Sequence, residues 1–367
     1  MLNKIIISGG GTGGHIFPAV AIADTIKKKY PNADILFVGA KGKMEMQKVP
    51  EAGYKIVGLN IAGLQRSLSI SNFTLPFKIM SSIYNAYKLL KNEKPQVVIG
   101  TGGFASAPVL YMATALKIPT VIQEQNSLPG KVNTFLGKRV NNICAAYTEV
   151  KQYFPAEKVV MTGNPIREQI EFSNITKEAA CKEFGLDQNK KTVLVYGGSL
   201  GALAINQGMM NAFEKLNQSD IQIIWQTGSH FYPQTEQLRK LNSNNIKIVE
   251  FINNMEVAYA AADLVVSRAG AIALSEICLK KKASILVPLP TAAEDHQTKN
   301  AMALVNLNAA ILLKNSEAPK ELGNIILETI NQNQKLDILS ENAGKAAFPR
   351  SAEKIVEVIE NLVNGNA

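Results

Sequence analysis

Short β-branched runs recur along the 367-residue chain, each followed by a stretch with helical character. They are KIIISGG, DILFVGA, VVIGTGG and PTVIQEQ in the first half, then TVLVYGG, IQIIWQTG, IKIVEF, DLVVSRAG and ASILVPL in the second. Such alternation predicts parallel sheets joined by crossover helices, because strands covered on both faces read as almost unbroken apolar segments. The length exceeds one ordinary domain and suffices for two cores. KIIISGGGTGGH and TVLVYGGSLGAL repeat one pattern of strand, glycine loop and helix start, so the chain reads as two α/β nucleotide-binding-type units rather than a short-period array. Gly163, Asn164 and Pro165 interrupt structure between them. The expected domains are 1–164 and 165–345. A C-terminal helix over 346–367, with Ile355, Val356, Ile359 and Val363 on its apolar side, suits either domain and is expected back on the first.

The first glycine loop satisfies G-x-G-x-x-G through Gly9, Gly11 and Gly14. A dinucleotide site also needs an acidic residue at the end of the next strand, where this chain has Gly39, Ala40 and Lys41. His15 and Ile16 occupy the places a Walker A loop gives to Lys and Ser or Thr, which leaves another phosphate-bearing or sugar-bearing ligand. Two more glycine turns follow apolar strands, GTGGFASAP from Gly100 and GGSLGA from Gly197, and open α/β sheets place ligands at such strand ends.

Several side chains near these turns can do chemistry. His15, at a helix entrance, is placed to take a proton from an attacking hydroxyl, with a structural hydrogen-bonding role as the alternative. Ser199 can donate to phosphate oxygens together with the helix start that follows, or serve only as a helix cap. Glu276, on a helix beginning near Ala271, can bind a ribose diol or be an ordinary solvated residue. Glu294, Asp295, His296 and Gln297 read as a polar binding loop without a persuasive metal-ligand spacing. No D-x-D motif occurs, so neither a bound metal nor a cofactor is expected; Ser199, Arg167 and backbone dipoles would meet phosphate charge.

Net charge is +9 and unevenly placed: residues 1–164 hold 19 Lys plus Arg against 8 Asp plus Glu, the remainder 20 against 22. The first half is therefore expected to meet something anionic. The stretch GLQRSLSISNFTLPFKIMSSIYNAYKLLKNEKP mixes Phe73, Leu75, Phe77, Ile79 and Met80 with Arg66, Lys78, Lys88, Lys91 and Lys94, as an amphipathic surface on an anionic bilayer would; an ordinary core-facing helix is the alternative. The N-terminal segment lacks a signal-peptide pattern and no run of 18 apolar residues occurs, so a spanning helix is not expected. Three well-separated cysteines, Cys144, Cys181 and Cys278, fit a reduced cytoplasmic setting.

Taken together, GGGTGGH, GTGGFASAP, QEQNSLPG, TGNPIR, GGSLGA, EFINNM, SRAGAIALSE and DHQTKNA, in this order from residue 9 to residue 301, resemble the MurG family. Its members are UDP-N-acetylglucosamine:N-acetylmuramyl-(pentapeptide) pyrophosphoryl-undecaprenol N-acetylglucosaminyltransferases of peptidoglycan synthesis. The resemblance implies a GT-B fold, two Rossmann-like domains facing across a cleft, with the lipid acceptor and membrane on the first and UDP-GlcNAc held mainly by the second. It implies donor contacts at Thr12, Gly13, Gly14, Asn126, Arg167, Ser199, Ile252, Gly270, Ala271, Ile272, Ala273, Leu274, Ser275, Glu276 and Gln297. Among these, Ile252 would meet uracil, Glu276 the ribose and Ser199 the diphosphate.

The implied reaction is an inverting transfer of GlcNAc to the C4 hydroxyl of lipid I, giving lipid II, with His15 as the candidate base and the loop Gly9–His15 leaving room for the acceptor's pyrophosphate and sugar. A peripheral location at the cytoplasmic face of the bacterial plasma membrane follows, with cell-wall synthesis proteins as partners and no nucleic acid. Two positions depart from the pattern of many relatives. Leu200 stands where they have Gln, and Gln123 where they have His, so neither side-chain role carries over. A UDP-GlcNAc 2-epimerase and a non-catalytic nucleotide-sugar-binding protein are the competing readings.

Overall fold

The computed structural model describes residues 1–61, 75–241 and 243–365. It divides into two compact units, Met1–Arg167 together with Arg350–Ala367, and Glu168–Pro349. Arg66 and Phe73 of the amphipathic stretch lie outside the described residues.

The first unit is a parallel sheet of β1 (Lys4–Gly9), β2 (Asp34–Ala40), β3 (Lys55–Leu59), β4 (Val97–Gly102), β5 (Thr120–Glu124), β6 (Asn142–Ala145) and β7 (Val159–Met161). Its spatial order is β3-β2-β1-β4-β5-β6-β7. The period of two along β1 explains why the run is apolar throughout. Ile5 and Ile7 join one core with Phe37, Ile99 and the helix Gly13–Lys29, while Ile6 joins another with Val38, Val98, Leu110 and Ile122. Each of these isoleucines is fully buried, which contributes about 2 kcal/mol or more per side chain.

The second unit has β8 (Lys191–Tyr196), β9 (Ile221–Gln226), β10 (Ile246–Val249), β11 (Leu264–Ser267), β12 (Ala283–Leu286) and β13 (Ile311–Leu312), again all parallel, in the order β10-β9-β8-β11-β12-β13. Both units are therefore α/β and Rossmann-like. In each, strand order reverses beside the first strand, between β1 and β4 and between β8 and β11. Crossovers leave to opposite sides there, and the loops part to make a crevice at the strands' carboxyl ends.

The helix Ser351–Gly365 belongs to the first unit, where Ile355, Val356 and Ile359 enter the core beside Ile22 and Ile26. Glu360 on that helix accepts from Lys29 and from the Tyr30 hydroxyl, the latter over 2.7 Å. The unit boundaries fall after Arg167 and before Arg350. All three cysteines are buried and outside any disulfide, and burial pushes the Cys144 and Cys278 thiols up to about 12. Among the described residues no helix is long and apolar enough to cross a membrane.

Candidate functional site

At the first switch point the turns after β1 and β4 pack backbone against backbone. The Gly10 N–H donates to the Gly102 carbonyl over 3.3 Å, and a Cβ on Gly103, where φ is +81°, would collide with the Gly10 carbonyl oxygen. Glycine is needed here for close approach as well as for the turn. Beneath the first turn sits Glu45, fully buried, which accepts from Gly11 N–H over 2.8 Å and from Ala40 N–H over 3.0 Å. An acidic side chain thus already takes one of the loop donors expected to face a ligand anion.

His15 is the third residue of the helix Gly13–Lys29, whose N-cap is Thr12. Its Nδ1 lies 2.8 Å from the Thr101 carbonyl oxygen, and the Thr101 hydroxyl returns a bond to the His15 carbonyl over 2.8 Å. A carbonyl can only accept, so the neutral ring carries its proton on Nδ1 and its lone pair on Nε2. That is the tautomer a general base requires. A Cβ at Gly102 would lie 2.8 Å from the imidazole, so this glycine makes space for the ring.

The same Thr101 carbonyl accepts from Gln125 Nε2 over 2.7 Å, and Gln123 donates to Asn164 over 2.9 Å. Asn126 is tied to Glu124: its N–H donates to Oε1 over 3.0 Å, while Gly130 N–H and Asn133 Nδ2 donate to Oε2 over 3.2 and 2.8 Å. Burial pushes the Glu124 carboxyl above its ordinary range, and these donors pull the other way. Neither Glu45 nor Glu124 stood out in the sequence as a site residue. Glu124 ends an apolar strand, a signal that could have found it; Glu45 lies in a segment that reads as a solvated helix. Arg167 is exposed at the end of the first unit.

At the second switch point the turn after β8 runs from Gly197 to Gly201, with φ of +88° at Gly198 and +84° at Gly201. Ser199 is exposed on this turn, and the helix Leu203–Asn211 takes Ala202 as its N-cap, so the cap alternative for Ser199 does not hold. Gln226, at the end of β9, donates to the Gly198 carbonyl over 3.0 Å and accepts from Ile252 N–H over 3.0 Å. Ile252 is buried.

After β11, Gly270 caps the helix Ala271–Leu279. Along it Ala271, Leu274 and Glu276 are buried, Ile272, Ala273 and Ser275 are half-buried, and Ser275 bonds back to the Ala271 carbonyl. Glu276 is only 7% exposed and accepts from the Tyr259 hydroxyl over 3.0 Å, so it is not a solvated helix residue. Arg268 Nη1 reaches the Val287 carbonyl over 2.9 Å and Asn315 over 2.7 Å, clamping the ends of β11 and β12 together; burial lowers its pKa. Gln297 is half-buried, and its Oε1 accepts from Leu289 N–H over 2.9 Å. Glu294 and Asp295 adopt positive φ, which shapes the polar loop before the helix His296–Val305. Among the described residues no three His, Cys, Asp or Glu side chains gather as metal ligands.

Residues 5–145 match the glycosyltransferase family 28 N-terminal domain and residues 192–357 its C-terminal domain. A relative from Christiangramia forsetii is 47% identical over 98% of both chains, and one from Bacteroides thetaiotaomicron is 49% identical over 98% of this chain and 97% of its own. Both are named UDP-N-acetylglucosamine–N-acetylmuramyl-(pentapeptide) pyrophosphoryl-undecaprenol N-acetylglucosamine transferase. The crystal structure of Acinetobacter baumannii MurG, 28% identical, superimposes with a TM-score of 0.78 over 98% of this chain and 99% of its own. That enzyme and the two family domains identify the fold as GT-B.

Proposed function

The chain belongs to glycosyltransferase family 28, among the MurG enzymes, and we propose that it transfers N-acetylglucosamine from UDP-GlcNAc to lipid I, forming lipid II in peptidoglycan synthesis. The observation that carries this reading is the second switch point, where an exposed serine on a glycine turn and a buried carboxylate follow neighbouring strands. Such an arrangement suits a nucleoside diphosphate, with phosphate at the turn and ribose at the acid.

Ser199 then meets the diphosphate, Glu276 the ribose diol, and Ile252 the uracil, with Gly270 to Ser275 forming the floor between them. Thr12, Gly13, Gly14, Asn126, Arg167 and Gln297 remain donor contacts on the family pattern. In the first unit His15 Nε2 removes the proton of the acceptor's C4 hydroxyl as that oxygen bonds to the anomeric carbon and UDP leaves. One displacement inverts the α-linked donor to a β-1,4 product, and Thr101 holds the ring in the required tautomer. Incubating the protein with UDP-GlcNAc tests this. UDP should appear only when lipid I is added, whereas an epimerase would act on UDP-GlcNAc without any lipid and a binding protein would turn nothing over.

The acceptor's lipid tail calls for a membrane surface. On the helix Leu75–Glu93, Met80, Tyr84, Tyr87 and Lys91 are exposed at helical spacing, joined by Ile79 and Lys88, while Ser82, Ala86 and Leu90 face inward. Aromatic and apolar tips beside lysines suit peripheral docking on the anionic cytoplasmic face of the plasma membrane, where cell-wall synthesis proteins would be neighbours. Flotation with anionic vesicles should weaken as salt rises; equal binding to neutral vesicles at low salt removes this surface from the model of docking.

A further inference from the structure

At the β8/β11 switch point two tyrosine hydroxyls lead to Glu276. Tyr196 is the last residue of β8 and pairs in register with Ser267 of β11, while Tyr259 lies on the helix Met255–Ala261. Their rings meet edge to face, centroids 6.3 Å apart at 85°, and their hydroxyl oxygens are 2.7 Å apart. The Tyr259 hydroxyl donates to Glu276 Oε2 over 3.0 Å. An ionised carboxylate has no proton to give, so chemistry sets the direction of this path. Tyr259 directs its one proton to Glu276, and its oxygen accepts the proton of Tyr196.

Burial, and then the neighbouring Tyr196 and Glu276, push Tyr259 well above its ordinary pKa, so it stays a donor at neutral pH. A carboxylate has about four lone-pair sites, and the Tyr259 hydroxyl takes one of them on Oε2. Packing alone would not call for this chemistry. A buried charge is costly, and an apolar side chain would fill the space without it. Tyr196 also begins the run into Gly197 and Ser199, so the strand carrying the phosphate turn reaches the acid through the Tyr259 hydroxyl.

We propose that Tyr259, backed by Tyr196, is a positioning residue that fixes the Glu276 carboxylate for the ribose hydroxyls of the nucleotide and ties it to the β8 glycine turn. The proposal rests on the reading of Glu276 as the ribose acid.

Calorimetry with UDP and with 2′,3′-dideoxy-UDP separates the two ideas, because a defect of packing weakens both ligands alike and leaves their ratio unchanged. The wild-type protein should prefer UDP, and Glu276→Ala should abolish the preference. Tyr259→Phe, which keeps the ring, should cut the preference about tenfold, and Tyr196→Phe about threefold, the scale of a lost hydrogen bond near a charge. A preference lost in Glu276→Ala yet intact in Tyr259→Phe overturns the positioning role and leaves the ribose reading standing. A preference intact in Glu276→Ala overturns the ribose reading itself.

Discussion

At the β1/β4 switch point the glycine turn lies over a buried carboxylate, Glu45, which takes the Gly11 N–H; at the β8/β11 switch point the matching turn is braced by the neutral amide of Gln226, which takes the Gly198 carbonyl. The strand order and the glycine pattern are alike, but the electrostatics differ in sign and in which backbone group is consumed. A phosphate placed within about 5 Å of the Glu45 carboxylate would meet a repulsion of about 3 kcal/mol at an effective dielectric of 20. No such charge underlies the second turn's brace. The comparison teaches that a glycine-rich turn after a strand is a permissive frame, and that the side chain beneath it decides which ligand charge it tolerates. It also divides the labour: anion binding suits the second unit, and an oriented imidazole suits the first.

The sharpest way to break this division is His15→Ala. Turnover on lipid I should fall by about 10²- to 10⁴-fold while UDP affinity stays near wild type, since a lost base affects the chemical step. Near-normal kcat would assign His15 to structure and move the base elsewhere. Loss of UDP binding along with activity would contradict the division between the units.

Glu45→Gln probes the brace under the first turn. One amide oxygen cannot replace two carboxylate oxygens for both Gly11 and Ala40, so stability should fall by about 1–3 kcal/mol. Thermal unfolding measures this, and an unchanged midpoint would mean that the turn holds itself without the acid.

The smallest effect is expected at Glu360, which joins the C-terminal helix to the first unit alone. Burial pulls its carboxyl upward, but the Lys29 ammonium and Tyr30 hydroxyl outweigh that, and the net shift is below the ordinary range. A lowered folded value gives stability that is present above the unfolded pKa, about 4.3, and lost as pH falls through the folded value. Because Lys29 is half exposed, the contribution is about 1 kcal/mol or less. The Tm difference between wild type and Glu360→Gln should therefore be small at pH 7 and vanish in acid. A difference that grows as pH falls would reverse the sign of this linkage.

The alternation of apolar runs disclosed the α/β class because the inner strands are covered on both faces and so are built mostly of apolar side chains. The strands that escaped notice are of another kind. β3, KIVGL, is an edge strand whose residues are mostly half-buried, β6 and β7 span four and three residues, and β13 only two. An edge strand needs fewer apolar side chains because one ladder and part of one face remain open. The glycine turns were legible for a local reason, since their backbone dihedrals demand glycine within a few residues of the strand end. Their side-chain partners were not. Thr101 lies 86 residues from the His15 it orients, Glu45 lies 34 from Gly11, and Tyr259 lies 17 from Glu276.

What the sequence determined by itself is whatever depends on neighbours along the chain: two strand-and-helix alternations, glycine where the backbone must turn, and a histidine at a helix entrance. The tertiary structure alone decided the state of those groups. It set the imidazole tautomer through a carbonyl from β4, put a negative charge under one glycine turn and a neutral amide under the other, and took Glu276 out of solvent onto a tyrosine hydroxyl. The physical reason is range. Backbone dihedrals and periodicity are fixed by adjacent residues, whereas hydrogen-bond partners and local charge are supplied by segments that parallel crossovers bring together from far along the chain.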